Sequence, residues 1–246
     1  MSDSAGFALW RASQFDAMDK PPHERGIPAP ALEWPLPPGQ ALVALPAPHL
    51  ARAPEAIQSL LAQRRTHRAY APDPLSQEDL SFLLWSTQGV QKHTPGERTL
   101  RTVPSAGARH AFETLLLVNN VAGLAPALFR YVATQHALTL FANAEKTMDD
   151  LRDGFRNMNL VTLSAVVFIW VCVLERMTWR FGERGWRYVL LDAGHVCQNL
   201  YLAAEACGCG ACAIGAFNDA DINTALGLDG ATQFVIYAAS AGRKPC

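Results

Sequence analysis

Three arginines stand within five residues at Arg64-Arg65-Thr66-His67-Arg68, where an apolar-periodic segment ends. A guanidinium presents paired N–H donors that match phosphate oxygens two at a time, and the Thr66 hydroxyl adds a further donor. The segment reads as a dianion site, weighed against a solvated basic turn. A second stretch, Arg101-Thr102-Val103-Pro104-Ser105-Ala106-Gly107-Ala108, holds a hydroxyl in a tight turn of small residues. It lacks the G-x-S-x-G spacing of a nucleophile elbow, so a ligand-binding turn and a plain serine turn are both open readings. A third stretch, Ala211-Cys212-Ala213-Ile214-Gly215-Ala216, carries small side chains that let a flat ligand approach the backbone closely. Its plain alternative is a helix–turn–strand packing corner.

Other polar clusters point less far. Asp192 and His195 share one side of a helix, and a structural hydrogen bond is the commoner use of such a pair. Gly208-Cys209-Gly210-Ala211-Cys212-Ala213 matches G-x-G-x-x-A by letter. It follows a helix and precedes a strand, the reverse of a dinucleotide fingerprint, so no Rossmann site is expected. Cys197, Cys207, Cys209 and Cys212 do not form the paired sets of structural zinc. They read as small buried thiols with no metal, and nothing in their spacing demands a Cys207–Cys212 disulfide. No residue stands out as catalytic from pattern alone.

The elements that must position these residues follow from periodicity. A proline-free run of about 22 residues from Gly185 is long enough for six turns of helix. Tyr188, Val189, Leu191, Val196, Leu200, Tyr201 and Leu202 fall on nearly every face, which predicts a helix buried in protein and between two subunits. Asp192, His195, Gln198 and Asn199 argue against lipid, and Cys207-Gly208 supplies a left-handed cap.

Residues 1–50 read as an extended Pro-rich arm, because the prolines from Pro21 to Pro48 leave no room for a long helix. Residues 51–246 form one domain. A helix runs from Pro54 to Arg64-Arg65 with Ile57, Leu60 and Leu61 on one face. Another starts at the Ser76 cap, with Asp79 at the capping-box position, and stops at Gly89. Val90–Arg98 reads as a polar loop. Strands are expected over Thr114–Val118, Leu128–Val132, Ala165–Leu174 and Gln233–Ala239, and helices over Asn143–Asn157 and Ala220–Leu226. Strict βαβ alternation is missing, which favours α+β with a mixed central sheet.

With 246 residues, half of them hydrophobic and 17% charged, the chain can bury a large core. A net charge of −1 leaves no global field for nucleic acid or anionic lipid, so neither is expected as a partner. The N-terminus shows no signal-peptide pattern. The longest apolar run, Leu160–Leu174, falls short of the roughly 18 residues of a membrane span. Six cysteines, most of them in apolar segments, suggest reduced thiols in the cytoplasm.

Taken together, RRTHRAY, LSFLLWSTQGV, RTVPSAGARHAFETLLLVNNVAGLAPALFRY, WRFGERGWRYVLLDAGHVCQNLYLAAEACG, CAIGAF and YAASAGRK resemble the nitroreductase superfamily of flavoproteins. Within it they are most similar to the SagB/ThcOx-type dehydrogenases associated with azoline oxidation in peptide natural products. The resemblance implies an α+β fold that dimerises through the long helix, with FMN sites at the subunit interface. It implies that Arg64, Arg65, Thr66 and Arg68 bind the FMN phosphate and ribityl chain. Pro104, Ser105, Ala106 and Gly107 would reach FMN from the partner subunit. Ala213, Ile214, Gly215 and Ala216 would lie against the isoalloxazine, and Arg243, with Lys244, would add phosphate charge. Hydride then passes through flavin N5 to or from a small-molecule or peptide substrate, with NADH or NADPH as a candidate reductant. A structural flavin-binding subunit of a biosynthetic complex is the alternative. Arg180-Phe181-Gly182 stands where azoline-oxidising members carry Lys-Tyr-Gly. Arginine stays protonated and phenylalanine has no hydroxyl, so neither serves as a general base.

Overall fold

The computed structural model describes residues 5–14, 19–48, 57–95, 98–142, 145–156 and 158–245. Its centre is a pair of strands buried on both faces: β4 (Phe112–Val118) and β7 (Val166–Val173), paired antiparallel from Phe112–Cys172 to Val118–Val166. Alternation sends Phe168, Trp170 and Cys172 to one side of the sheet and Val167, Ile169 and Val171 to the other. Both sides are therefore apolar, and each needs a helical layer.

The sheet has seven strands in the order β1-β6-β5-β4-β7-β9-β8, where β1 is Leu42–Ala44, β5 Ala127–Val132, β6 Ala137–Ala142, β8 Cys209–Ile214 and β9 Gln233–Arg243. Every pair among them is antiparallel. The mixed sheet expected from sequence is thus antiparallel in its strand pairs, and the parallel component is a bridge from Thr66 to Ala211 at the β8 edge. On one face lie α3 (Gln77–Gln88) and α7 (Gly185–Ala206). On the other lie α4 (Glu145–Gly154), α5 (Met158–Leu163) and α8 (Asp219–Ala225). The fold is α+β, as the sequence predicts.

Four local expectations change. The arm is not wholly extended: α1 spans Ala5–Ala12, ahead of the prolines, and the end of the arm enters the sheet as β1. The expected loop after Gly89 is a hairpin of β2 (Val90–Thr94) and β3 (Arg98–Arg101). In α2 (Ile57–Gln63) Leu60 turns inward while Ile57 and Leu61 are exposed; the expected start at Pro54 lies outside the described residues, as do Asn143 and Asn157. Finally, α7 is not covered on all sides. Val189, Ala193, Val196, Cys197, Leu200, Ala203 and Ala204 are buried, whereas Leu190 and Leu191 are 55% and 53% exposed.

The arm is fastened by buried charge. Glu113 on β4 takes Arg176 at 2.6 Å and Arg130 at 3.7 Å, and accepts from the Trp34 N–H at 2.6 Å. The same arginines donate to arm carbonyls: Arg130 to Trp34 at 2.7 Å and Arg176 to Ala31 at 2.8 Å. Glu33 of the arm returns the contact by accepting from the Ala133 N–H and the Thr134 hydroxyl. Nothing in the arm's composition announces these partners, which lie some hundred residues away along the chain.

Candidate functional site

The basic segment and the small-residue strand, far apart in sequence, are brought side by side. As the chain leaves α2 it runs along the free edge of β8, where the His67 N–H donates to the Ala211 carbonyl at 3.0 Å. The approach is close enough that a Cβ on Gly210 would sit 2.6 Å from the His67 Cβ, so glycine is required there. Tyr70 anchors the far end by a hydroxyl contact of 2.7 Å to Ser240 Oγ on β9.

Tyr201 of α7 joins the two pieces. Its hydroxyl accepts from the Ala213 N–H at 2.8 Å and lies 3.3 Å from the Thr66 hydroxyl. The Arg64 guanidinium stands 5.3 Å from the centre of its ring, a cation–π distance. Arg68 and Thr66 are exposed at this ledge. Arg65 turns back, donating to the Ala62 and Arg64 carbonyls at 2.9 and 2.8 Å, where it caps the end of α2. Gly215 and Ala216 are exposed beyond the end of β8, and the space above the Gly215 α-carbon holds only Tyr237 Cε2 at 3.8 Å. Sequence reading placed Tyr201 in the helix core. Its position two and a half turns from Asp192, at about 3.6 residues per turn, carries no local sign that its hydroxyl leaves the core.

Arg243 is committed to the fold: its Nη2 lies 2.6 Å from Oδ2 of the fully buried Asp79. Ser76 caps α3 by accepting from the Asp79 N–H at 3.1 Å, as expected, while the Asp79 carboxylate takes the Ser76 hydroxyl and Arg243. Lys244 pairs with Glu205 of α7 at 2.6 Å. Burial pushes the Cys172 and Cys197 thiols up to about 12, which leaves them protonated and unreactive at neutral pH. Cys207, Cys209 and Cys212 are free.

The Pro104–Gly107 turn is elsewhere in the protomer. It sits by Asp192 of α7, roughly 13 Å from Tyr201 along the helix at about 1.5 Å per residue. Asp192 Oδ1 accepts from the Ala106 N–H at 3.3 Å, and Ser105 Oγ accepts from the His110 N–H at 2.9 Å. The chain here is strained, with positive φ at Gly107 (58°), Ala108 (52°) and His110 (45°). Burial raises the Asp192 carboxyl and pushes His110 down to about 3, so His110 is a neutral donor toward the Thr99 carbonyl at 3.2 Å. The side chain of Asp192 is buried and that of His195 is half exposed, 3.9 Å apart. Among the described residues no group of three or more His, Cys, Asp or Glu is arranged to hold a metal, and no helix is long and apolar enough to cross a membrane.

An antiparallel sheet between two helical layers, with a basic segment laid along its β8 edge, defines an α+β protein. The chain belongs to the Nitroreductase family, whose model matches residues 61–243. A protein of Methanocaldococcus jannaschii that carries the nitroreductase name, MJ1384, is 31% identical over 188 residues, covering 76% of this chain and 91% of the relative. The trifolitoxin-processing protein TfxB of Rhizobium leguminosarum bv. trifolii is 29% identical over 149 residues, 57% of this chain and 40% of TfxB. Among solved structures, a nitroreductase of Ralstonia eutropha JMP134 superposes with TM-score 0.67 at 21% identity, over 89% of this chain and 95% of that one. A chain of the Escherichia coli microcin synthetase McbBCD complex, with truncated pro-MccB17 bound, gives 0.64 at 16% identity, over 99% and 95%. A nitroreductase of Desulfovibrio desulfuricans in complex with FMN gives 0.56 at 20% identity, over 78% and 88%.

Proposed function

We propose that the protein is an FMN-dependent oxidoreductase of the SagB-type group, acting as a cytoplasmic homodimer on a small-molecule or peptide-derived substrate. The observation that carries this reading is the Tyr201 junction, which sets Arg64 and Thr66 beside the open backbone ledge at Gly215. FMN fits these residues: a phosphate calls for clustered guanidinium and hydroxyl donors, and a flat ring calls for a ledge without side chains. Family membership and the FMN bound by the Desulfovibrio relative support the choice.

Arg64, Arg68 and Thr66 would hold the phosphate, with Arg65 and Arg243 adding positive potential from their places at the end of α2 and against Asp79. Bound FMN supplies hydride exchange at N5. Gly215 and Ala216 would offer the open backbone to the ring, Ala213 and Ile214 would carry them as the end of β8, and Tyr201, which takes the Ala213 N–H, fixes that strand. The exposed Leu190 and Leu191 of α7 suit burial against a second copy. Such a dimer would let the partner's Pro104–Gly107 turn approach the ledge, with Asp192 holding it in shape.

A second reading, a flavin-binding subunit without turnover in a biosynthetic complex, is favoured by Arg180-Phe181 and by the likeness to McbBCD and TfxB. The purified protein should be yellow, dimeric by light scattering, and its flavin should bleach with NADH or NADPH. A colourless protein that takes up no added FMN would overturn the flavin reading. A yellow protein that neither nicotinamide nor dithionite-coupled acceptors turn over would favour the second.

A further inference from the structure

A second cleft, of about 330 Å³, opens between the arm and the α6–α7 corner, where α6 is Glu175–Phe181. Its walls are fixed. A short 3-10 turn, Pro22–Arg25, lies over α6, with the His23 ring 5.5 Å from that of Trp179 and the Trp179 indole N–H donating to the Ile27 carbonyl at 2.6 Å. Arg184 is held by the Tyr188 hydroxyl at 2.7 Å and the Ser13 carbonyl at 2.8 Å. Phe181 and Tyr188 meet edge to face at 4.7 Å and supply an aromatic wall.

Two cations on this cleft are uncommitted. Lys20 and Arg180 line it and are exposed, and among the described residues neither makes a hydrogen bond or an ion pair. Against Lys20, Arg180 and Arg184 stand the carboxylates of Asp19 and Glu24, the latter 4.0 Å from His23. Its lysine, arginine and carboxylate side chains sum to one net positive charge. Behind it, Arg109 is buried with its Nη2 unpartnered, 4.6 Å from the Trp179 ring centre, which adds positive potential.

We infer that this cleft binds a monocarboxylate with an aromatic or apolar body. A planar carboxylate matches the fork of Arg180 and leaves the opposite wall to Lys20, while the body lies on Phe181 and Tyr188. One net charge favours a monoanion over a phosphate dianion, whose second charge would face Asp19 and Glu24. The volume suits a ligand of benzoate size or somewhat larger. Phe181 also ties the cleft to the Pro104–Gly107 turn, since its Cζ lies 3.0 Å from where a Cβ on Gly107 would stand. The cleft would therefore adjoin the proposed flavin site and deepens that reading, while its carboxylate binding is measured without turnover.

The test is calorimetric titration of the full chain, as purified, with benzoate and with its neutral counterpart benzamide. Benzoate should bind saturably, and benzamide about tenfold or more weaker. Arg180→Gln should weaken benzoate by about tenfold or more, and Lys20→Gln should weaken it less. Both side chains are exposed, so circular dichroism of the variants should match the parent. Equal affinity for benzoate and benzamide, or no saturable binding at millimolar benzoate, would overturn the assignment. So would benzoate binding that survives Arg180→Gln but is lost in Arg64→Ala/Arg68→Ala, because the anion would then sit on the arginine segment.

Discussion

The Tyr201 hydroxyl takes the backbone N–H of Ala213 at 2.8 Å while facing Thr66 at 3.3 Å, so one side chain of α7 sets the spacing between two segments that each look incomplete alone. The donor it satisfies belongs to the edge strand, and the hydroxyl it faces belongs to the chain laid along that strand. Tyr201→Phe should cost about 1–2 kcal/mol of stability, the worth of one buried hydrogen bond and a weaker second. Urea unfolding checks the first effect. Flavin content after dialysis checks the second, an expected loss of FMN retention.

Arg64→Ala/Arg68→Ala should reduce FMN affinity by about a hundredfold or more, since charge-assisted contacts contribute about 1.5–3 kcal/mol each. Fluorescence titration of the apoprotein with FMN reads this directly. A double variant that holds FMN as tightly as the parent would remove these arginines from the phosphate site.

Arg243→Ala separates a fold role from a ligand role. Removing the guanidinium from the buried Asp79 should destabilise the protein by about 2–3 kcal/mol, somewhat under the usual cost for a fully buried pair because Arg243 is partly exposed. If unfolding shifts while FMN affinity stays unchanged, the charge serves the α3–β9 junction and not the flavin.

Glu113→Ala should leave Arg130 and Arg176 buried without their shared carboxylate and release the Trp34 N–H. A loss of about 3–5 kcal/mol is expected, together with faster cleavage of the arm by a nonspecific protease. Unchanged protection of residues 19–48 would show that the arm is held by its apolar contacts instead.

His110 gives the pH dependence a definite sign. Burial depresses it from the ordinary 6.5 to about 3, so the folded state favours the neutral ring and the unfolded state takes up the proton first. Stability is full above pH 6.5 and falls as pH drops toward 3, by up to about 1.4 kcal/mol per pH unit. His136, also depressed chiefly by burial, acts in the same direction. His110→Gln should flatten the slope of unfolding free energy between pH 6.5 and 4, relative to the parent. An identical slope would assign the acid sensitivity to other groups.

Much of the frame is legible from residue order. The short apolar run around Leu115 and the one around Ile169, rich in β-branched residues, read as strands, and Ser76 followed by Asp79 marks the start of α3, because these signals depend on neighbours within a turn or two. The basic segment, the Pro-Ser turn and the small-residue strand were each visible for the same reason. Period alone could not show β6, whose outer half is exposed, or the β2–β3 hairpin, a two-stranded ribbon whose Gln91, Lys92 and His93 are exposed.

What the tertiary structure decided is which distant groups share a charge or a proton. Arg243 meets Asp79 across 164 positions, Glu113 gathers two arginines and the arm, and Tyr201 turns from a core residue into the joint between Thr66 and Ala213. Local pattern records a residue's periodicity and polarity but not its partner. Partners are fixed only when the sheet order is complete, since strand β8 reaches the Thr66 segment through its pairing with β9, and β9 through β7. The physical reason is the range of the interactions. Helix caps and alternation act over a few residues, whereas a hydrogen bond or ion pair across the core exists only once the chain has closed around it.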